Sequence, residues 1–119
     1  MRTHKDLKVW NKAIEYVTRL YKCTSIFPKE ELYGLTTQIR RASVSVPSNI
    51  AEGAARTSNK EFMHFLFIAI GSLSELETQL IIAKNLGYIN EALFDEIVSE
   101  NEELAKMIHG LINFRKRQR

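Results

Sequence analysis

The sequence predicts an all-α protein, an up-down-up-down four-helix bundle, on three observations. Apolar residues recur at alternating spacings of three and four along four stretches, the period of helices packed along one stripe. The connections between these stretches are short and carry helix-start and helix-stop residues, which implies antiparallel neighbours. Residue usage is helical and no convincing strand pattern is present, with two prolines and five glycines in 119 residues. That length fits a single domain, 1–119, ending in a basic tail at 115–119.

The first helix begins near Thr3 or Lys5, where Thr3 and Asp6 have the spacing of an N-terminal cap. Leu7, Trp10, Ile14, Val17 and Tyr21 form its expected buried stripe, with Lys5, Lys8, Lys12, Arg19 and Lys22 on the remaining surface. Pro28 opens the second helix, and Glu30 and Glu31 occupy a first turn whose dipole favours them. Its seam is Leu32, Leu35, Ile39, Ala42 and Val46, turning polar at Asn49 and stopping at Gly53. Ser43, Ser45, Ser48 and Ala51 are small enough to admit a neighbouring helix. Pro47 lacks an N–H and would clash with the Ser43 carbonyl, so the second helix is kinked or restarted near Pro47.

Ser58 and Glu61 have capping-box spacing for the third helix, and Gly87 is its expected C-terminal stop. Its seam is Phe62, Leu66, Ala69, Leu73, Leu76, Leu80 and Ala83. Met63, Phe65, Phe67, Ile68 and Ile70 are apolar off that seam, and a helix apolar all round is buried on more than one side. One bundle core covers one broad face, so a second subunit is expected over the rest. The expected subunit contact comprises Val44, Asn49, Glu52, Met63, Phe67 and Ile70. Asn90 caps the fourth helix, whose stripe is Leu93, Ile97, Leu104, Met107, Leu111 and Phe114.

Little in the sequence points to catalysis. Glu61 and His64 make one Glu-x-x-His, but a di-metal bundle needs a second copy, and His109 has Lys106 in the corresponding place. No metal or cofactor is expected. His64 reads instead as a partly buried side chain with a hydrogen-bond partner. Cys23 lies near a helix C-terminus, where the dipole disfavours a thiolate. As the lone cysteine it excludes an internal disulfide and fits a reducing compartment. The polar start and the lack of a long unbroken apolar run give the expectation of a cytoplasmic protein with no membrane partner.

Charge is the stronger signal. Residues 1–29 hold seven Lys or Arg against Asp6 and Glu15, whereas residues 91–114 hold Lys106 against six acids. The first and last helices are therefore expected to attract, to bind partners, or both. Candidate phosphate contacts are Lys5, Lys8, Lys12, Arg19, Lys22, Arg40, Arg41, Arg56, Lys60, Arg115, Lys116, Arg117 and Arg119. Arg40 and Arg41 read equally well as interface struts.

The segments DLKVWNKAIEYVTRLY, FPKEELYGLTTQIRRASVSVPSNIAEGAAR, FLFIAIGSLSELETQL and AKNLGY resemble the bacterial four-helix-bundle proteins encoded in 23S rRNA intervening sequences. The shared pattern falls on Tyr33, Gly34, Leu35, Gln38, Ile39, Arg40, Arg41, Asn49, Ile50, Ala51, Glu52 and Gly53. The accessory variability proteins of diversity-generating retroelements are similar in fold. The resemblance implies a homopentamer with a basic surface for nucleic acid and assigns no catalysis. For the retroelement relatives it also implies docking to a reverse transcriptase. The expected function is thus a non-enzymatic homo-oligomer, with self and RNA or DNA as partners; the alternative is a protein-interaction scaffold.

Overall fold

A computed structural model describes residues 3–117. Four α-helices, α1 (Lys8–Thr24), α2 (Leu35–Ala54), α3 (Asn59–Asn85) and α4 (Glu91–Lys116), form a bundle of 48 × 24 × 19 Å. Consecutive helices pack side by side, α2 against α3 most extensively, and α4 returns to meet α1. The bundle expected from the sequence is the one observed.

The core is mainly aliphatic, with Tyr16, Phe27 and Phe62 as its buried aromatic rings and Gln79 and Asn101 among its buried polar side chains. All seven expected seam positions of α3 are buried, from Phe62 to Ala83. The Ser58 hydroxyl accepts the Glu61 amide and so caps the first turn. At the other end Gly87 adopts φ 81°, its amide bonds the Lys84 carbonyl, and the Tyr88 amide bonds the Ala83 carbonyl. That is the Schellman arrangement, and only glycine enters it without a Cβ clash. By length and composition α3 is apolar enough to cross a membrane. Its apolar character divides between the core seam and an outward face that includes Phe67 and Ile68.

The other helices depart from expectation in instructive ways. On α1 the buried stripe is Val9, Ala13, Tyr16, Leu20 and Cys23, whereas Ile14 and Tyr21 are exposed and Leu7, Trp10 and Val17 are half-buried. The helix carries two apolar stripes about 100° apart, and the bulkier one faces outward. The cap formed by Thr3 and Asp6 closes a 3₁₀ turn, His4–Asp6, and extended Leu7 separates that turn from α1. A second 3₁₀ turn, Lys29–Glu31, follows Pro28, so α2 begins only at Leu35 and Leu32 is exposed. The helix α2 then runs unbroken through Pro47, which rules out a restart there. On α4 the buried positions are Ile97, Asn101, Leu104, Ile108 and Ile112; Met107 and Leu111 are half-buried and Phe114 is exposed.

Two buried polar groups tie α4 to its neighbours. The Tyr16 hydroxyl donates to the Ile97 carbonyl at 3.0 Å, and Asn101 Nδ2 donates to the Leu73 carbonyl at 3.0 Å. Burial holds the Tyr16 phenol protonated well above its ordinary value. A folded state that retains this proton loses stability as pH rises past the unfolded-state value near 10. Tyr16→Phe therefore unfolds less steeply between pH 9 and pH 11 than the wild type, at a cost of about 0.5–1.5 kcal/mol near neutrality. Urea melts across that range, measured by circular dichroism, check both statements.

Candidate nucleic-acid interface and assembly faces

Antiparallel topology gathers what the sequence scatters. The start of α1, the α2–α3 connection and the end of α4 all lie at one end of the bundle. Lys5, Lys8, Arg56, Lys60, Arg115, Lys116 and Arg117 all lie toward this end. Two contacts fix the arrangement locally. Arg115 donates to Asn59 Oδ1 at 3.0 Å and lies over the Phe62 ring, 4.9 Å from its centroid. Arg56 lies over Phe65, also at 4.9 Å, and pairs with Glu52. Lys5, Lys8, Lys60, Lys116 and Arg117 are exposed and make no ion pair among the described residues.

Other predicted contacts are placed differently. Lys12 pairs with Glu103 at 2.6 Å, and Arg19 pairs with Glu100 at 2.7 Å and Glu96 at 3.3 Å. These are the α1–α4 attractions that the charge pattern anticipated; as exposed pairs each adds little stability. Arg40 donates to Thr24 Oγ1 at 2.9 Å and to the Tyr21 carbonyl at 3.3 Å, with its guanidinium 4.6 Å from the Tyr21 ring centroid. It satisfies the carbonyl end of α1 and braces that helix against α2. Arg41 and Lys22 are exposed on the sides of the bundle, and Arg119 lies outside the described residues.

The expected interface residues also separate. Val44 and Phe67 are exposed, whereas Met63 and Ile70 are half-buried against the bundle's own core. Asn49 Nδ2 donates to the Ser45 carbonyl and to Ser45 Oγ, which bonds Ser72 Oγ at 2.8 Å across α2 and α3. Glu52 is exposed and paired with Arg56. The exposed stripe of α1 was missed as a surface. With α2 it lines a groove of ≈ 380 Å³ floored by Trp10, Ile14, Val17, Val44, Pro47 and Ala51. Its sequence signal was a second apolar stripe on a helix that has only one bundle face to fill.

Among the described residues, no three His, Cys, Asp or Glu side chains converge as metal ligands. His64, expected to be partly buried, is exposed against the edge of Phe65. Cys23 is buried, which pushes its thiol above the ordinary range.

The profile of the 23S rRNA-intervening sequence protein family matches residues 5–110. The chain belongs to that family. No curated protein matches it. Among solved structures, this intervening-sequence protein is similar to a protein of unknown function from the S23 ribosomal protein family of Bacteroides thetaiotaomicron. The two are 25% identical with a TM-score of 0.78, over 87% of this chain and 97% of that one. The shared fold carries the bundle and does not by itself assign a ligand.

Proposed function

We propose that this intervening-sequence protein is a non-enzymatic homo-oligomer that binds nucleic acid through the basic end of its bundle. The observation that carries the reading is that Lys5, Lys8, Arg56, Lys60, Arg115, Lys116 and Arg117 all lie toward one end of a bundle 24 × 19 Å in cross-section. Cations so grouped, mostly without protein partners, neutralise phosphates and release counterions. Repetition of that end in an assembly makes the contact multivalent. Self-assembly is supported by the apolar surface that the bundle leaves uncovered on α1, α2 and α3. The non-enzymatic reading fits a cysteine that is buried and held as a thiol.

Fluorescence anisotropy with a labelled structured RNA and a labelled DNA duplex tests the nucleic-acid reading. Affinity falls steeply with salt, and each lost phosphate contact flattens the log–log salt dependence by roughly 0.7–0.9. Lys60→Gln with Lys116→Gln weakens binding and flattens that slope. Lys12→Gln, which removes a cation paired with Glu103, leaves the slope unchanged. Absence of binding at low salt, or equal effects from both sets, refutes the assignment to the basic end.

A second reading, a protein-interaction scaffold, is favoured by the opposite end. There Ile26, Leu32, Tyr33 and Leu86 are exposed on two connections joined by the Tyr88–Glu31 hydrogen bond of 2.8 Å. A partner protein retained through nuclease treatment and lost on Tyr33→Ser would support that reading over nucleic-acid binding.

A further inference from the structure

Where α1 ends and α2 begins, three cations stand without counter-charge: Lys29, Arg40 and Arg41 make no ion pair among the described residues. Arg40 is half-buried, and a charge partly withdrawn from water needs a partner more than an exposed one does. Its side chain lines two cavities. The smaller, of ≈ 140 Å³, is bounded on its polar side by Thr24, Ser25, Lys29, Thr36 and Arg40. The larger, of ≈ 490 Å³, lies against Tyr21, Thr37, Arg41, Val44 and Ser45. No Asp or Glu lines either one.

The smaller cavity keeps donors that the fold does not use. Thr36 is 3% exposed, yet its hydroxyl has no hydrogen-bond partner among the described residues. The Thr24 and Ser25 hydroxyls, by contrast, donate to the Leu20 and Lys22 carbonyls. Arg40 donates through Nε to Thr24 and through Nη2 to the Tyr21 carbonyl, which leaves Nη1 without a partner among the described residues. The carbonyl end of α1 is therefore already engaged, and what the cavity still offers is positive. The start of α2 adds to this, because Gly34 supplies no side-chain cap and the Gln38 amide is the one that bonds back to Gly34. Glu31 is occupied by the Leu35 amide and the Tyr88 hydroxyl.

We propose that the smaller cavity binds the phosphate of a phosphomonoester, whose organic part lies across Arg40 in the larger cavity, against Tyr21 and Val44. The three terminal oxygens of a phosphate suit donors of three kinds, the Thr36 hydroxyl, the Arg40 fork and the Lys29 ammonium. A carboxylate, with two oxygens, leaves one of them unmet. The N-terminus of α2 favours the same charge. The site is independent of the nucleic-acid reading, because it lies at the end of the bundle opposite Lys60 and Lys116.

Isothermal titration calorimetry of the full chain tests the site, with adenosine monophosphate, inorganic phosphate and adenosine as probes. The monophosphate binds, inorganic phosphate binds more weakly, and adenosine gives no heat at the same concentration. Thr36→Val weakens the monophosphate by about tenfold or more. Its urea melt does not fall below that of the wild type, because the hydroxyl it removes has no partner to lose. Arg40→Lys keeps the charge, loses the fork and weakens binding by a similar factor; should it fail to fold, Thr36→Val carries the test. Lys60→Gln with Lys116→Gln leaves this affinity unchanged. No binding at several millimolar, an unchanged affinity in Thr36→Val, or a loss in the Lys60 and Lys116 pair overturns the site. Competition separates two sources of the monoester. A terminally phosphorylated oligonucleotide that displaces the monophosphate, where its unphosphorylated counterpart does not, identifies a chain end; displacement by neither identifies a free phosphomonoester. Displacement by both overturns the preference for a monoester.

Discussion

Gly53→Ala lowers the unfolding free energy by about 1–3 kcal/mol, although alanine is normally the better helix former by about 0.5–1 kcal/mol. The reversal comes from a close crossing. A Cβ on Gly53 would stand 2.8 Å from Phe65 Cβ, 2.9 Å from Phe62 Cδ1 and 3.2 Å from the Phe62 carbonyl oxygen. The Cβ of Phe65 cannot swing aside without moving the backbone of α3, so the end of α2 must separate from the start of α3. The same separation disturbs Arg56, which lies over Phe65, and Arg115, which lies over Phe62. Gly110→Ala is the matched control, because an added Cβ there meets nothing within 4 Å. It raises stability by about 0.5–1 kcal/mol. Urea melts of the two variants should move in opposite directions; a stabilised Gly53→Ala would mean that the crossing has slack.

Where one stripe dominates a helix, the sequence was sufficient. The helix α3 lies between α2 and α4, and its seam from Phe62 to Ala83 was legible because no second stripe has that regularity over its whole length. On α1 two stripes compete. Leu7, Trp10, Ile14, Val17 and Tyr21 together outrank Val9, Ala13, Tyr16, Leu20 and Cys23 in bulk, yet the second set is the one buried. Tyr16 can enter the core because the Ile97 carbonyl receives its hydroxyl, a partner 81 residues away. No reading of local period contains that information. The same limit explains α4, where Ile108 and Ile112 rather than Met107 and Phe114 face inward.

The candidate site was legible as a list of cations and not as a place. Grouping by sequence put Lys8, Lys12 and Arg19 together, although the fold assigns Lys12 and Arg19 to acids on α4 and leaves Lys8 at the basic end. Conversely, Lys60 and Lys116 are far apart in the chain and meet only because α3 starts where α4 finishes. Arg40 and Arg41 illustrate the same point at one residue's distance. A step of 100° around the helix directs Arg40 to the end of α1 and leaves Arg41 exposed without a partner among the described residues.

Asn101→Asp is the more severe substitution, expected to cost about 3 kcal/mol or more at pH 7. Asn101 is 4% exposed, and its Nδ2 donates to the Leu73 carbonyl. An aspartate there replaces a donor by a second acceptor and brings a charge into the core. The cations Lys12 and Arg19 on the facing helix already hold Glu103, Glu96 and Glu100. The Tyr16 hydroxyl could turn toward the new carboxylate only by leaving the Ile97 carbonyl. Desolvation raises the folded-state pKa of such a carboxyl above its unfolded value of about 3.9. Protonation therefore restores stability, so the deficit relative to wild type is largest near neutrality and shrinks as pH falls toward 4. Asn101→Leu separates charge from packing. It removes the donor without adding an acceptor, and the Leu73 carbonyl keeps its place in the α3 ladder, so its loss is about 1–2 kcal/mol and independent of pH. Melts of both variants at pH 7 and pH 4 decide the matter: equal, pH-independent losses would make Asn101 a packing residue, whereas a moderate pH-independent loss for leucine beside a larger, acid-relieved loss for aspartate identifies it as the polar bond joining α3 to α4.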